Sequence, residues 1–175
     1  MTAHIRLRQK IGEIDKDTLA HYAPYIAGLL DGEGTFTIRW NRGARFPSFS
    51  PLIMVSMTNE EVIRFLAKTL QVDFTKKVRK NRRTYYVLRI TTKHEIVMIL
   101  EALKPWLIVK KEHAQIILEF IALKEKEELT HKEIVSKRAE LYLRIRKLNL
   151  KGRPFNPDEL RSDLEDCVRN YFKNK

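Results

Sequence analysis

Cysteine is almost missing: Cys167 stands alone among 175 residues. One cysteine closes no internal disulfide, and this one has no His or Cys neighbour at zinc-ligand spacing. A disulfide scaffold and a zinc site are therefore excluded from the reading. The histidines, His4, His21, His94, His113 and His131, are scattered too. No two of them pair at metal spacing on one helix turn, which assigns them surface or capping roles. Runs of about eighteen apolar residues are absent, so no transmembrane helix is expected. The opening MTAHIRLRQKIGEIDKD is basic but has no apolar segment and does not read as a secretory signal. The expectation is an intracellular, cytoplasmic chain that is not secreted and does not engage membrane. There is no low-complexity stretch and no strict repeat.

Positive charge is abundant. Lys and Arg number 34 against 22 Asp and Glu, a net charge of +12, which calls for a polyanionic partner. Nucleic acid is favoured over membrane because no strongly amphipathic basic helix stands alone. A hydrophobic content of 43% argues against disorder, and the length suits one domain over residues 1–175.

The hydrophobic period changes along the chain. Leu19 to Asp31 reads as a helix, with Pro24 in its first turn, where a missing N–H costs little. Thr35 to Asn41 alternates: Phe36, Ile38 and Trp40 point one way, Thr35, Thr37, Arg39 and Asn41 the other. Gly43 and Pro47 mark a turn before a second strand, Ser50–Thr58. Asn59 precedes a helix to Leu70 with Glu60 and Glu61 in its first turn. Thr75–Lys80 and Thr84–Thr91 read as a second hairpin. Helical patterns follow at about 94–103, 110–124, 133–148 and 157–172, the third opened by a capping box of Thr130 and Glu133. The order predicts an α+β fold, αββαββα with an antiparallel sheet and added C-terminal helices. Its core spans about 19–125 and its helical extension about 130–175. Trp40, Phe46, Phe49 and Trp106 are expected in core or hairpin packing.

The informative stretch is Ile26-Ala27-Gly28-Leu29-Leu30-Asp31-Gly32-Glu33-Gly34. Gly28 lies inside a helix, where glycine costs about 1 kcal/mol relative to alanine. With Ala23, Ala27 and Gly32 it offers a small face that another backbone could approach. Gly32 and Gly34 are expected to permit an unusual backbone as the helix ends. Asp31 and Glu33 sit at the negative end of the helix dipole, an unfavourable place that a bound cation would reverse. Magnesium is typically held by one or two carboxylates plus substrate phosphates. A glycine-rich helix stop with solvated acids has the same composition, and both readings stand on the residues alone.

The segment IAGLLDGEGTF resembles the motif of the LAGLIDADG homing endonucleases, with Ile26 for the first Leu and Glu33 for the second acid. The resemblance extends over roughly residues 19–125. It implies a saddle-shaped DNA-binding sheet and site-specific double-strand cleavage of a long pseudo-palindromic DNA target. The cofactor would be Mg²⁺ or another divalent cation such as Mn²⁺. A single motif implies a homodimer in which two motif helices pack together, Gly28 and Ala27 among the contacts. Glu33 would ligate the metal with help from the Gly32 carbonyl, while Asp31 would shape the helix end. A polar residue near the scissile phosphate would be Asn59, or Thr58 one position earlier. Lys110, after Pro105, would polarise a water or stabilise the pentavalent phosphate. The host would be prokaryotic or organellar. A start at Met1 without splice-junction residues suggests intron encoding.

Both hairpins are basic and free of acids. Arg39, Arg42 and Arg45 occupy the first; Lys76, Lys77, Arg79, Lys80, Arg82, Arg83 and Arg89 occupy the second. With Thr35, Thr37, Asn41, Asn81 and Tyr85 they give the sheet a polar face suited to a major groove, which admits a β-ribbon. Arg39, Asn41, Arg79 and Asn81 are the expected base readers, and the cations at the turns the phosphate binders. In the C-terminal helices, Lys137, Arg138, Arg144, Arg146, Lys147, Lys151 and Arg153 either add phosphate contacts or solvate a face. Alternatives on the same fold are an RNA-binding intron maturase and a non-catalytic DNA-binding regulator. Outside it, a basic ribosome-associated protein would share the charge.

Overall fold

The computed structural model describes residues 2–7, 13–41, 48–79, 83–123 and 129–150, with Asp158, Ser162, Glu165, Asp166 and Arg169 beyond them. For residues 2–7, Arg79 and His131 only the backbone is described. The fold is α+β, as expected, in the order β1 (Thr2–Leu7), α1 (Lys16–Glu33), β2 (Gly34–Asn41), β3 (Ser48–Met57), α2 (Glu60–Thr69), β4 (Phe74–Arg79), β5 (Tyr85–Ile90), α3 (Lys93–Leu103), α4 (Lys111–Ala122) and α5 (His131–Asn149). The five strands form one sheet in the order β1-β4-β5-β3-β2. Four strands were expected, and β1 is the addition. It lies antiparallel to β4, with Thr2 opposite Arg79 and Leu7 opposite Phe74.

Helix α1 begins earlier than the apolar pattern indicates. Asp15 caps it, its carboxylate accepting the Thr18 N–H at 3.1 Å. Pro24 consequently lies in the helix interior and not in the first turn. The carbonyl of Ala20 loses its partner there, but Ala20 and Pro24 are both exposed, so water can replace the lost bond. Helix α2 opens on Asn59, whose side-chain oxygen accepts the Val62 N–H at 3.1 Å. It closes with Gln71 at φ 51, in the left-handed region. The Val72 N–H returns to the Ala67 carbonyl at 3.0 Å, and the Gln71 side chain donates to the Lys68 carbonyl at 2.7 Å. Helix α5 carries the expected capping box of Thr130 and Glu133.

The chain packs as two compact units, Met1–Phe36 with Leu52–Lys111 and Thr37–Pro51 with Glu112–Lys175. In the first, α1 packs on α3 and α2, and α2 covers β4 and β5. Leu19, Ile26, Leu30, Ile63, Leu66, Phe74, Leu88 and Leu100 are fully buried. The second buries Ile38, Ile116, Ile117, Phe120 and Ile145. Burying one such side chain contributes roughly 1.5–3 kcal/mol, so each unit holds a real core. Among the described residues no helix is long and apolar enough to cross a membrane.

Candidate active site and nucleic-acid face

The end of α1 is held by a contact that local sequence does not show. The Asp31 carboxylate accepts three consecutive backbone N–H groups from the turn leading into α4. Ile108 donates at 2.7 Å and Val109 at 3.1 Å to Oδ2, and Lys110 at 2.8 Å to Oδ1. The buried Lys110 side chain returns the contact, its Nζ donating to the Asp31 carbonyl at 3.2 Å. That carbonyl is one of the unpaired acceptors at a helix C-terminus, and an ammonium there complements the dipole. Burial pushes the Asp31 carboxyl up, but the three N–H groups and the Lys110 charge outweigh it and hold the carboxyl below its ordinary value.

Glu33, two residues on, is exposed and makes no side-chain hydrogen bond among the described residues. The two acids of the motif therefore differ: Asp31 is committed to the turn, and Glu33 projects from a helix end rich in carbonyls. That donor set is hard oxygen. Among the described residues no group of three or more His, Cys, Asp or Glu could hold a metal. The fit is to a cation that takes one protein carboxylate and completes its shell with carbonyl, water and phosphate oxygens, as Mg²⁺ does.

The glycines play different parts. Gly34 has an ordinary extended backbone, φ −73° and ψ 147°. It is required because a Cβ there would lie 2.4 Å from the Leu30 carbonyl oxygen, across the closing bond from its own N–H. The expected unusual dihedrals are thus replaced by a close approach. A Cβ on Gly28 or Gly32 would meet nothing within 4 Å. Ala27, expected on the same small face, is fully buried in this chain's own core, as is Ala23. Thr58 and Asn59 are exposed, and the Asn59 oxygen already serves as the α2 cap.

The sheet face opposite α2 is polar. Tyr86 donates to Glu60 of α2 and Lys76 lies over the Tyr86 ring, so Phe74, Lys76, Tyr86, Leu88 and Ile90 share the helix side. Alternation places Thr75, Lys77, Tyr85, Val87 and Arg89 on the other side, with Lys77 opposite Tyr85 and its Nζ 6.0 Å from that ring. Met54 and Ser56 of β3 join them through Arg89 and Val87. Sequence reasoning selected Lys77 and Tyr85 and counted Arg89 among the hairpin cations, but passed over Thr75 and Ser56, which strand register reveals. A cleft of about 390 Å³, lined in part by Asp73, Thr75, Arg89 and Glu95, opens on this side.

In β2, Thr35 and Thr37 are half-buried and Arg39 and Asn41 exposed, while Phe36 and Ile38 are buried, as the alternation predicts. Arg83 is exposed beside β5. Arg42, Arg45, Lys80, Asn81, Arg82, Phe46, Lys151 and Arg153 lie outside the described residues, as does the Arg79 side chain. Trp106 is 52% exposed and not in a core. Arg138 is half-buried with its guanidinium 5.2 Å from the Phe120 ring, which removes it from the solvated face.

A family model, the LAGLIDADG-like domain, matches residues 20–104, from within α1 through α3. Over these residues the chain is similar to that family. No curated protein matches the chain in sequence. Structural likeness reaches beyond the LAGLIDADG-like domain. Homing endonuclease I-CvuI, in complex with its target in the presence of 2 mM Ca, aligns with a TM-score of 0.68 and 16% identity, covering 87% of this chain and 96% of that one. The archaeal intron-encoded homing endonuclease I-Vdi141I, complexed with DNA, gives 0.68 and 20%, covering 87% and 98%. Homing endonuclease I-TnaI gives 0.59 and 20%, covering 89% and 99%. At such identities the likeness is one of fold, and the fold is that of the LAGLIDADG homing endonucleases.

Proposed function

We propose that this protein is a site-specific homing endonuclease that cuts both strands of a long pseudo-palindromic DNA target as a homodimer. The observation that carries the reading is the division of labour at the end of α1. Asp31 is saturated by the 108–110 turn, which leaves Glu33 as the exposed acid at a carbonyl-rich terminus. Glu33 and the Gly32 carbonyl would hold a divalent cation, Mg²⁺ or Mn²⁺. When bound, such a cation supplies Lewis-acid stabilisation and a more acidic water. Lys110, fixed at the same helix end, would offer positive charge to a phosphorane formed there. Asn59 or Thr58 would orient the phosphate. Double-stranded DNA would be contacted by Thr35, Thr37, Arg39 and Asn41 on one hairpin. Lys77, Arg79, Tyr85, Arg83 and Arg89 would contact it from the other, with Thr75 and Ser56 now added. Arg42, Arg45, Lys80, Asn81 and Arg82 would complete the phosphate and base contacts at the hairpin tips.

The homodimer reading rests on an open strip along α1. Asp17, His21, Pro24, Tyr25, Gly28 and Gly32 recur at helical spacing and are all exposed. Gly28 costs the isolated helix about 1 kcal/mol with nothing in this protomer to compensate, which a close-packed second copy would do. Gly28→Leu is expected to leave the monomer as stable or up to ~1 kcal/mol more stable, and to weaken the dimer at least a hundredfold. Sedimentation velocity with urea titration checks both, and an unchanged dimer would remove the interface from this strip.

The test of function is incubation of the full chain with a plasmid library of candidate target sites, with Mg²⁺ and with EDTA. Discrete Mg²⁺-dependent double-strand breaks are expected. Salt-sensitive DNA binding without breaks would point to a regulator, and tighter binding to structured RNA than to any duplex would point to a maturase.

A further inference from the structure

Three aromatic rings close a triangle behind the first hairpin. Trp40 of β2 and Phe49 of β3 stack with centroids 6.3 Å apart. Tyr142 of α5 meets both, edge-on to Trp40 at 6.1 Å and tilted against Phe49 at 5.7 Å. Phe49 and Tyr142 are each 8% exposed. All three belong to the same compact unit. Tyr142 is itself anchored. One turn earlier, Arg138 lies over Phe120 of α4, and two residues later Arg144 bonds Glu119 of α4 at 3.3 Å. Ile145 beside it is fully buried.

Strand geometry gives this triangle a consequence. Arg39 and Asn41 flank Trp40 in β2 and point to the face opposite it. The side chain packed behind Trp40 therefore sets the angle at which its two neighbours are presented. Base readout tolerates errors of only about 0.5 Å and 10–20°. Phosphate contacts act through net charge and tolerate far more.

We infer that Tyr142 is a positioning residue for sequence specificity: α5, through this ring, fixes the hairpin from behind so that Arg39 and Asn41 discriminate bases. The inference rests on the DNA-binding reading above. It assigns α5 a share in target choice without any DNA contact of its own.

The test uses the full chain carrying Trp106→Phe, which leaves Trp40 as the sole tryptophan. Tyr142, Tyr142→Phe, Tyr142→Leu and Tyr142→Ala are compared. Leucine keeps bulk without a ring and guards against simple unfolding, which circular dichroism checks. Trp40 emission should shift to the red and acrylamide quenching should rise at least twofold in the Ala and Leu variants, while Phe retains the parent values. Selection from a random-sequence duplex library should then show a tenfold or greater loss of preference at a subset of base pairs. Affinity for unselected duplex should stay within about threefold, as its electrostatic origin requires.

Unchanged Trp40 quenching in Tyr142→Ala would overturn the clamp, whatever the DNA result. Loosened Trp40 with a full parental sequence preference would overturn the positioning role. A parent chain that selects no sequence would sink the DNA reading and the positioning role with it, while Trp40 quenching still reports separately on the packing.

Discussion

Glu33→Gln is expected to lower DNA cleavage by about a thousandfold or more while leaving duplex affinity within a few fold. The substitution preserves shape and removes only the charge that a hard cation needs. Lewis-acid stabilisation is worth several kcal/mol, and about 1.4 kcal/mol corresponds to a tenfold change in rate. Asp31 does not stand ready to compensate, because both its oxygens already accept hydrogen bonds from the 108–110 turn. Glu33 itself is exposed and makes no hydrogen bond among the described residues, so the variant should unfold at the parental urea concentration. The measurement is the rate of double-strand breaks in a target plasmid with Mg²⁺, beside an electrophoretic binding assay. Retained cleavage would place the metal elsewhere.

Asp31→Asn is expected to act on stability first. An amide offers one acceptor oxygen and turns an NH₂ group toward N–H donors, so at least one of the three bonds is lost and the others lose their charge assistance. Hydrogen bonds to charged groups contribute ~1.5–3 kcal/mol each. Since Ile108 and Val109 are exposed and water can take their place, a loss of about 2–3 kcal/mol is expected in total. The pH dependence has a definite sign. The folded carboxyl lies below its ordinary value despite the opposing effect of burial. Its contribution is therefore complete above the unfolded value of roughly pH 3.9 and is lost as pH falls through the lower folded value. The parent should lose stability on acidification below about pH 4, and the variant should lose less. Urea midpoints between neutral pH and pH 3 read this directly. Identical acid limbs would show that the 108–110 turn does not depend on the Asp31 charge. Cleavage should fall as well, because the same bonds seat Lys110.

What the sequence showed clearly was whatever depends on near neighbours. The box at Thr130 and Glu133, Asn59 ahead of α2, and the alternation of Phe36 and Ile38 against Arg39 and Asn41 all lie within a few residues of one another, and all are found. Distant partners stayed hidden. Thr2–Leu7 alternates polar and apolar residues, but its partner is β4, some 67 to 77 residues away, with no turn to announce the pairing. Pro24 appeared to demand a helix start nearby. Asp15 had already supplied one further back, where Lys16, Asp17 and Thr18 carry no apolar period. The divergence of Asp31 from Glu33 is likewise written in residues 108–110 and not in the motif. Ala27 and Gly28 looked equivalent as small residues, yet a 100° step on a helix puts one in the core and the other in the open.

Helix α1 ends at Glu33 and β2 begins at Gly34, with no residue between them. A hinge needs a backbone position free to absorb rotation, and the bond from the Gly34 N–H to the Leu30 carbonyl restrains the one at this junction. Torque is therefore passed along without slack. If two copies of α1 lie against each other, a twist at their seam reaches Gly34, where β2 begins. By linkage, if DNA bound along β2 changed how tightly two such copies hold together, dimerisation would change the affinity for DNA by the same factor.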